Sequence, residues 1–418
     1  MARLPKVLVV MPTMWDLREF DACRPKWQGR FSIEYGTPAD EDTRYDFDIA
    51  GYIETCASRQ DIAGVFSSSD YPGATVAASI AQRAKLPGPD PRCLLRTSHK
   101  LVSRTVQAQA APEATPKFCA VDPDNLMFPP EIGFPCFVKP VKGAFSLFSK
   151  SVNNINELRT HLSRPEVEEF RHGFMVPFNN MWRQHGGDEV DGRWFIAEEV
   201  LTGAQVTVEG FVTDAEPTVI GVVDSEFYPG TNSFSRFVYP SSLPARAQSR
   251  MSEIARRVIT ALGLKRCFFN IEMCWDGSNA RIIEVNPRMC GQFGDLYQKV
   301  DGCNTYQVAL ELVTGGDAKW KKGKGEFGYA ASVPLRLFAP AVVKAAPDAA
   351  RVQEIEQRHK GALVWPEIAA GQMVNDFVFE DGNSFRYCVF NIGADTRQGL
   401  QSLQRQITSE LGFKMQPL

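Results

Sequence analysis

Between Cys267 and Asn286 apolar and polar positions alternate in two runs. Phe268-Phe269-Asn270-Ile271-Glu272-Met273-Cys274-Trp275 and Ala280-Arg281-Ile282-Ile283-Glu284-Val285-Asn286 flank the turn Asp276-Gly277-Ser278-Asn279. Two such runs about a Gly-containing turn predict a β-hairpin. With the turn centred on Ser278, Ile271 faces Val285, Glu272 faces Glu284 and Met273 faces Ile283. Side chains alternate across a strand, so one face carries Glu272, Glu284 and Asn286. The other carries Ile271, Met273, Ile283 and Val285, and needs a core.

The same reading along the rest of the chain predicts an α/β protein of several domains. Val7–Val10 and 62–66 are short buried strands, and 74–85 is a helix, which together imply a small parallel sheet. A helix runs from Thr97 or Ser98, either of which can cap it, to about Ala110. Phe134–Pro140 is a strand ending at Lys139. Residues 164–191 are polar and Gly-containing, and predict an irregular insertion. Strands follow at 194–201, 206–212 and 219–224, then an aromatic-rich loop over 225–244. Apolar residues from Met251 to Leu262 recur at helical spacing, so 245–262 is a helix with Gly263 as its C-cap. After a further helix over 304–314 and a lysine-rich linker, strands are expected at 328–337, 362–365, 375–379 and 385–392. A helix closes the chain at 396–411. The expected domains are 1–95, 96–320 with a flexible subdomain at about 134–203, and a β-rich lobe at 325–418.

The hairpin's polar face carries the chemistry. Directly opposed carboxylates sit roughly 5 Å apart and destabilise a sheet unless something positive lies between them. Three oxygen donors on one face suit Mg²⁺ or Mn²⁺. Arg288, just past Pro287, is a cation suited to a phosphate or an oxyanion. Lys100 falls in the first turn of its helix, where the helix dipole disfavours a cation, a placement that makes sense if it serves an anion.

Composition changes the picture only by exclusion. With 418 residues, 44% hydrophobic, 23% charged and a net charge of −3, there is no electrostatic case for nucleic acid or a membrane surface. No apolar run approaches the roughly 20 residues of a spanning helix. The N-terminus does not read as a signal peptide. Ten scattered cysteines without a Cys-x-x-Cys pair read as reduced structural thiols of a cytoplasmic protein. After Val7–Val10 there is no Gly-x-Gly-x-x-Gly, which argues against a Rossmann phosphate loop.

The pairing of an acidic strand residue with Glu284-Val285-Asn286-Pro287-Arg288 resembles the metal-binding signature of the ATP-grasp superfamily. So do Lys139-Pro140 with the small-residue loop after it, and Glu198 to Gly203. The likeness runs over roughly residues 1–320. It is nearest to carboxylate–amine ligases of the L-amino-acid ligase and carnosine synthase type, through Val208-Glu209-Gly210-Phe211-Val212 and the Ser67–Gly73 turn. It implies ATP held at its phosphates by Lys100 and Lys139, with backbone around Gly143 and Ser146 as an anion nest. It implies adenine on the strand end near Glu198, Glu199 and Leu201, and ribose at Gln205, where the family more often has an acidic residue. Glu272, Glu284 and Asn286 would bind Mg²⁺ or Mn²⁺, and Glu209 is a further polar candidate. Arg288 would stabilise an oxyanion, Arg236 would hold a substrate carboxylate, and Gly291 would let substrate approach the backbone. The implied reaction joins a small-molecule carboxylate to an amine through an acyl phosphate, releasing ADP and phosphate. A phosphotransferase and a nucleotide-binding protein without turnover are the alternatives. The resemblance also brings homodimers into view.

Overall fold

The computed structural model describes residues 4–36, 47–126, 132–143, 147–188, 190–375 and 384–418. In chain order the strands are β1 (Lys6–Val10), β2 (Ser32–Gly36), β3 (Gly64–Phe66), β4 (Phe118–Val121), β5 (Cys136–Pro140), β6 (Lys150–Val152), β7 (Phe195–Glu199), β8 (Ala204–Val212), β9 (Thr218–Phe227), β10 (Phe234–Tyr239), β11 (Cys267–Trp275), β12 (Ala280–Asn286), β13 (Tyr329–Leu337), β14 (Ala341–Ala345), β15 (Leu363–Pro366), β16 (Met373–Val374), β17 (Phe385–Ala394) and β18 (Lys414–Pro417). Among the described residues they form four sheets, ordered β2-β1-β3, β4-β7-β5-β6, β12-β11-β8-β9-β10-β13-β17-β15 and β16-β14-β18.

The first sheet is parallel. β1 sits between β2 and β3, both parallel to it, so the loops after β1 and β3 lie side by side at its carboxyl end. Ligands favour that position in such sheets. Thr13 in the first loop hydrogen-bonds Ser68 in the second, at 3.0 Å. The expected mixed α/β architecture is therefore present.

The middle of the eight-stranded sheet is packed on both faces. Val206, Val208 and Val212 of β8 pack with Met251, Ile254, Val258 and Ile259 of the helix Ala245–Leu262. That helix ends at Gly263, left-handed at φ 72°, as the spacing requires. On the opposite face, Phe211 meets Phe293, Leu296 and Tyr297, together with Val7 and Val9 of the parallel sheet. Three tail strands, β13, β15 and β17, extend this sheet. The region after 325 is thus continuous with the central sheet rather than set apart from it.

Three local expectations are corrected. Residues 97 and 98 close a helix, Pro91–Ser98, and His99 caps the next one, Lys100–Ala110, accepting from the Val102 N–H. Residues 165–184 are mostly helical, at Pro165–Glu169, Phe170–Phe174 and Val176–Gln184. Phe170, Phe174, Phe178 and Trp182 stand four apart there, and successive rings stack at 5.5 and 6.0 Å for the outer pairs. The supposed aromatic loop over 225–244 contains β10. The strand expected at 375–379 falls almost wholly outside the described residues.

Candidate active site

The hairpin pairs Glu272 with Glu284 and Ile271 with Val285 as the alternation predicts, then shifts by one residue. Met273 faces Ile282, not Ile283. Ile282 fills the core while Ile283 is left half-buried. The bulge re-aims the backbone. The Ile282 carbonyl accepts from Arg104 at 2.9 Å, and the Ile283 carbonyl accepts from both Arg104 and Lys139, each at 2.9 Å.

Three strands carry the polar face. Across it, Asn270 lies between Glu209 and Asn286, and Glu272 between Thr207 and Glu284. Asn270 and Asn286 are buried. Glu272, Glu284, Arg288, Lys100 and Asp70 are each part-exposed, so this polar face is open to solvent. Protein still surrounds Glu272, and burial together with the facing Glu284 pushes its carboxyl up to about 7. Two opposed carboxylates with two amide side chains beside them form an oxygen-rich set that a hard divalent cation would relieve, so the residues present fit Mg²⁺ or Mn²⁺.

Cations converge on this face from elsewhere in the chain. Lys100 reaches Glu284 at 2.9 Å. The Lys139 ammonium, buried, is held by Glu198 at 2.7 Å. Arg104 takes the other Glu198 oxygen at 2.6 Å. Burial alone would raise the Glu198 carboxyl, but Arg104 and Lys139 outweigh it and hold it low. With Glu198 and the Ile283 carbonyl as acceptors, the Lys139 ammonium keeps a third N–H. Arg288 lies 3.6 Å from Asp70, which also accepts from Lys142 at 2.7 Å. Burial pushes the Asp70 carboxyl up, yet Lys142 and Arg288 hold it at about 2.

The remaining expected residues divide. Gln205 donates to Glu272 at 3.0 Å, so it belongs to the same face. Glu199 pairs with Arg281 at 3.3 Å, and Leu201 is half-buried on the short connection from β7 to β8. Ser146 lies outside the described residues. Glu198 proves to be a buried partner of two cations rather than a group offered to a base. Glu209 is corrected too: its carboxyl is fully buried and accepts from the Cys290 N–H, so it braces the loop after Arg288 instead of reaching solvent. Burial pushes that carboxyl to about 7.

Arg236 is the clearest correction. It binds Glu226 at 2.6 Å and Gln404 at 3.1 Å, on the face of the sheet opposite the paired glutamates. Arg236→Ala is expected to leave ATP consumption within about twofold and to cost under ~1 kcal/mol, as for other partly exposed pairs. An ADP-release assay beside a urea melt checks both. Gly291 is also reassigned. A Cβ there would meet the Tyr306 hydroxyl at 2.6 Å and the Trp15 Cβ at 2.7 Å, so the close approach is by this chain's own side chains.

Sequence reasoning passed over Asn270, Arg104, Asp70 and Lys142. Asn270 had a signal, standing two residues before Glu272 on the same face. The other three are placed by partners at least 72 residues away.

Residues 132–295 match the family model described as an ATP-grasp domain. Among curated proteins, the chain is 29% identical over 237 residues to "Uncharacterized protein y4rH" of Sinorhizobium fredii, covering 55% of this chain and 44% of that one. It is 35% identical over 77 residues to carnosine synthase 1 of Gallus gallus, 18% of this chain and 8% of that one. The chain thus spans less than half the length of these relatives. Among solved structures, the L-amino acid ligase from Bacillus licheniformis superposes with a TM-score of 0.73 at 14% identity, covering 100% of both chains. A biotin carboxylase from Campylobacter jejuni gives 0.67 at 13%, covering 99% and 92%. Likeness at such identities speaks to the fold.

Proposed function

We propose that this chain, whose residues 132–295 match an ATP-grasp domain, is an ATP-dependent carboxylate–amine ligase acting on amino-acid-like small molecules. The observation that carries the reading is the clustering of charge on this one face. Paired Glu272 and Glu284, with Asn286 and Asn270 beside them, sit among Lys100, Lys139 and Arg288.

Glu272, Glu284, Asn286 and Asn270 would hold Mg²⁺ or Mn²⁺, whose chemistry is to neutralise phosphate charge. Lys100 and Lys139 take oxygens of the ATP phosphates as point charges. The connection at Glu199 to Leu201 offers backbone groups to adenine, and Gln205 lies within reach of the ribose. A carboxylate oxygen of the first substrate attacks the γ-phosphorus, and the bond to the β-phosphate oxygen breaks to give ADP and an acyl phosphate. The amine nitrogen then attacks the acyl carbon. Arg288 faces the oxyanion of that tetrahedral species, which collapses to the amide with loss of phosphate and of the amine's proton. Positioning and charge neutralisation supply the rate. Asp70 and Lys142 keep Arg288 aligned.

The test is a screen of amino-acid pairs with the purified chain, scored by ADP release and product mass. Phosphate released only when both an acid and an amine are present supports a ligase. Phosphate retained on a product identifies a phosphotransferase, and the absence of ADP with every pair overturns the reading.

A pH dependence follows from Glu272. Its folded carboxyl titrates near 7 against about 4.5 in the unfolded chain. The stability of its protonated form is therefore present below about 4.5 and lost as pH rises through about 7. A cation competes with that proton, so Mg²⁺-dependent ADP binding is expected to tighten several-fold from pH 6 to pH 8. Titration calorimetry at both values checks this; equal affinity would remove Glu272 from the metal set.

A further inference from the structure

Arg18 is a cation not engaged in the network above. Arg18 lies one helical turn beyond Trp15 in the helix Met14–Ala22. Its guanidinium carbon stands 5.6 Å from the Trp15 ring centre and 5.1 Å from that of Trp365, which meets Trp15 edge-on at 5.1 Å. All three side chains are half-buried. Among the described residues no hydrogen bond or ion pair reaches the Arg18 guanidinium, and its Nη1 is buried without a partner. The nearby acid, Glu367, is already held in two-point contact by Arg386 at 2.7 and 3.0 Å. Burial works against the Arg18 charge. A guanidinium kept on two indole faces, with its donor edge unused, is poised for a planar anion.

Its position says which anion. Trp15 packs on Gly291, three residues past Arg288. Thr13 at the head of the same helix is tied to Ser68, two residues before the Asp70 that meets Arg288. Lys100, Lys139, Lys142 and Arg288 each have an acidic partner. A substrate that brings a carboxylate in addition to its reacting group needs another cation, and Arg18 is linked to the loop after Arg288 through Trp15, which packs on Gly291.

We propose that Arg18, framed by Trp15 and Trp365, binds the carboxylate of the amine-bearing substrate, making that substrate an α-amino acid or a peptide carboxyl end. This rests on the ligase reading. The two are separated by measuring binding apart from turnover. Tryptophan emission of the full chain is followed while a panel of α-amino acids is titrated, each against the amine left by removing its carboxylate. At least one amino acid gives a saturable change that its amine does not. Arg18→Gln weakens it about 10- to 100-fold, the range of a charge-assisted hydrogen bond. Arg18→Lys restores part of the affinity, and circular dichroism melts confirm that both variants fold.

The proposal is overturned if no amino acid gives a saturable change, if the amine binds as tightly, or if Arg18→Gln binds like the original chain. Carboxylate-dependent binding without ADP release would sink the ligase and keep the subsite. ADP release with an unchanged KM for the amine in Arg18→Gln would keep the ligase and sink the subsite.

Discussion

Replacing Glu272 with glutamine is expected to lower ADP release by about 10²- to 10³-fold, the scale of removing one preorganised electrostatic group. The same change should make the metal-free protein more stable at pH 8. Glu272 faces Glu284 across the hairpin, and its carboxyl is pushed up to about 7 by burial and that neighbour. Ionising it in the folded state therefore costs free energy that the amide does not. Because the side chain is part-exposed, about 1–3 kcal/mol is a discounted figure for the gain. The sign with pH is fixed. Below about pH 4.5 both folded and unfolded chains hold the proton and the difference vanishes; it grows as pH rises to about 7 and is complete above that. Urea melts with a chelator at pH 5 and pH 8 read this directly. A variant that is less stable at pH 8, or that turns over like the original chain, would show that the paired carboxylates are not the metal face.

The second large effect concerns Glu198. It is buried between Lys139 and Arg104, with contacts of 2.7 and 2.6 Å. Removing one partner from a buried charge network leaves the others unpaired, at a cost of about 3–5 kcal/mol. Glu198→Ala is expected to lose that much in urea unfolding and to weaken nucleotide binding, since Lys139 loses its anchor. The adjacent Glu199 is the internal control. It pairs with Arg281 near the surface, so Glu199→Ala should cost no more than about 1 kcal/mol. If the two variants unfold alike, Glu198 does not hold the cluster together.

How much of this was legible in the residues depends on range. The hairpin's opposed glutamates were readable because a period of two and a tight turn are local facts. The bulge at Ile283 was not, because Arg104 and Lys139 come from distant strands and helices to take the carbonyls it exposes. Arg236 was misjudged for a related reason: β10 was read as loop, so the parity that turns Arg236 away from the glutamates was lost. The helices at 165–184 were hidden behind polar and glycine content, although Phe170, Phe174, Phe178 and Trp182 repeat every fourth residue. Gly291 shows the limit of reading a glycine as an opening for ligand, since the space it leaves is filled by Trp15 and Tyr306.

β13 lies against β10 along one edge and against β17 along the other. A chain cut after residue 325 would leave β10 with an unpaired row of backbone donors and acceptors, the kind of border that recruits other chains. The tail is consequently not an interchangeable module. Any chimera that trades it for another protein's terminus must carry over β13 and its pairing with β10, so exchange is better attempted on the separate β16-β14-β18 sheet.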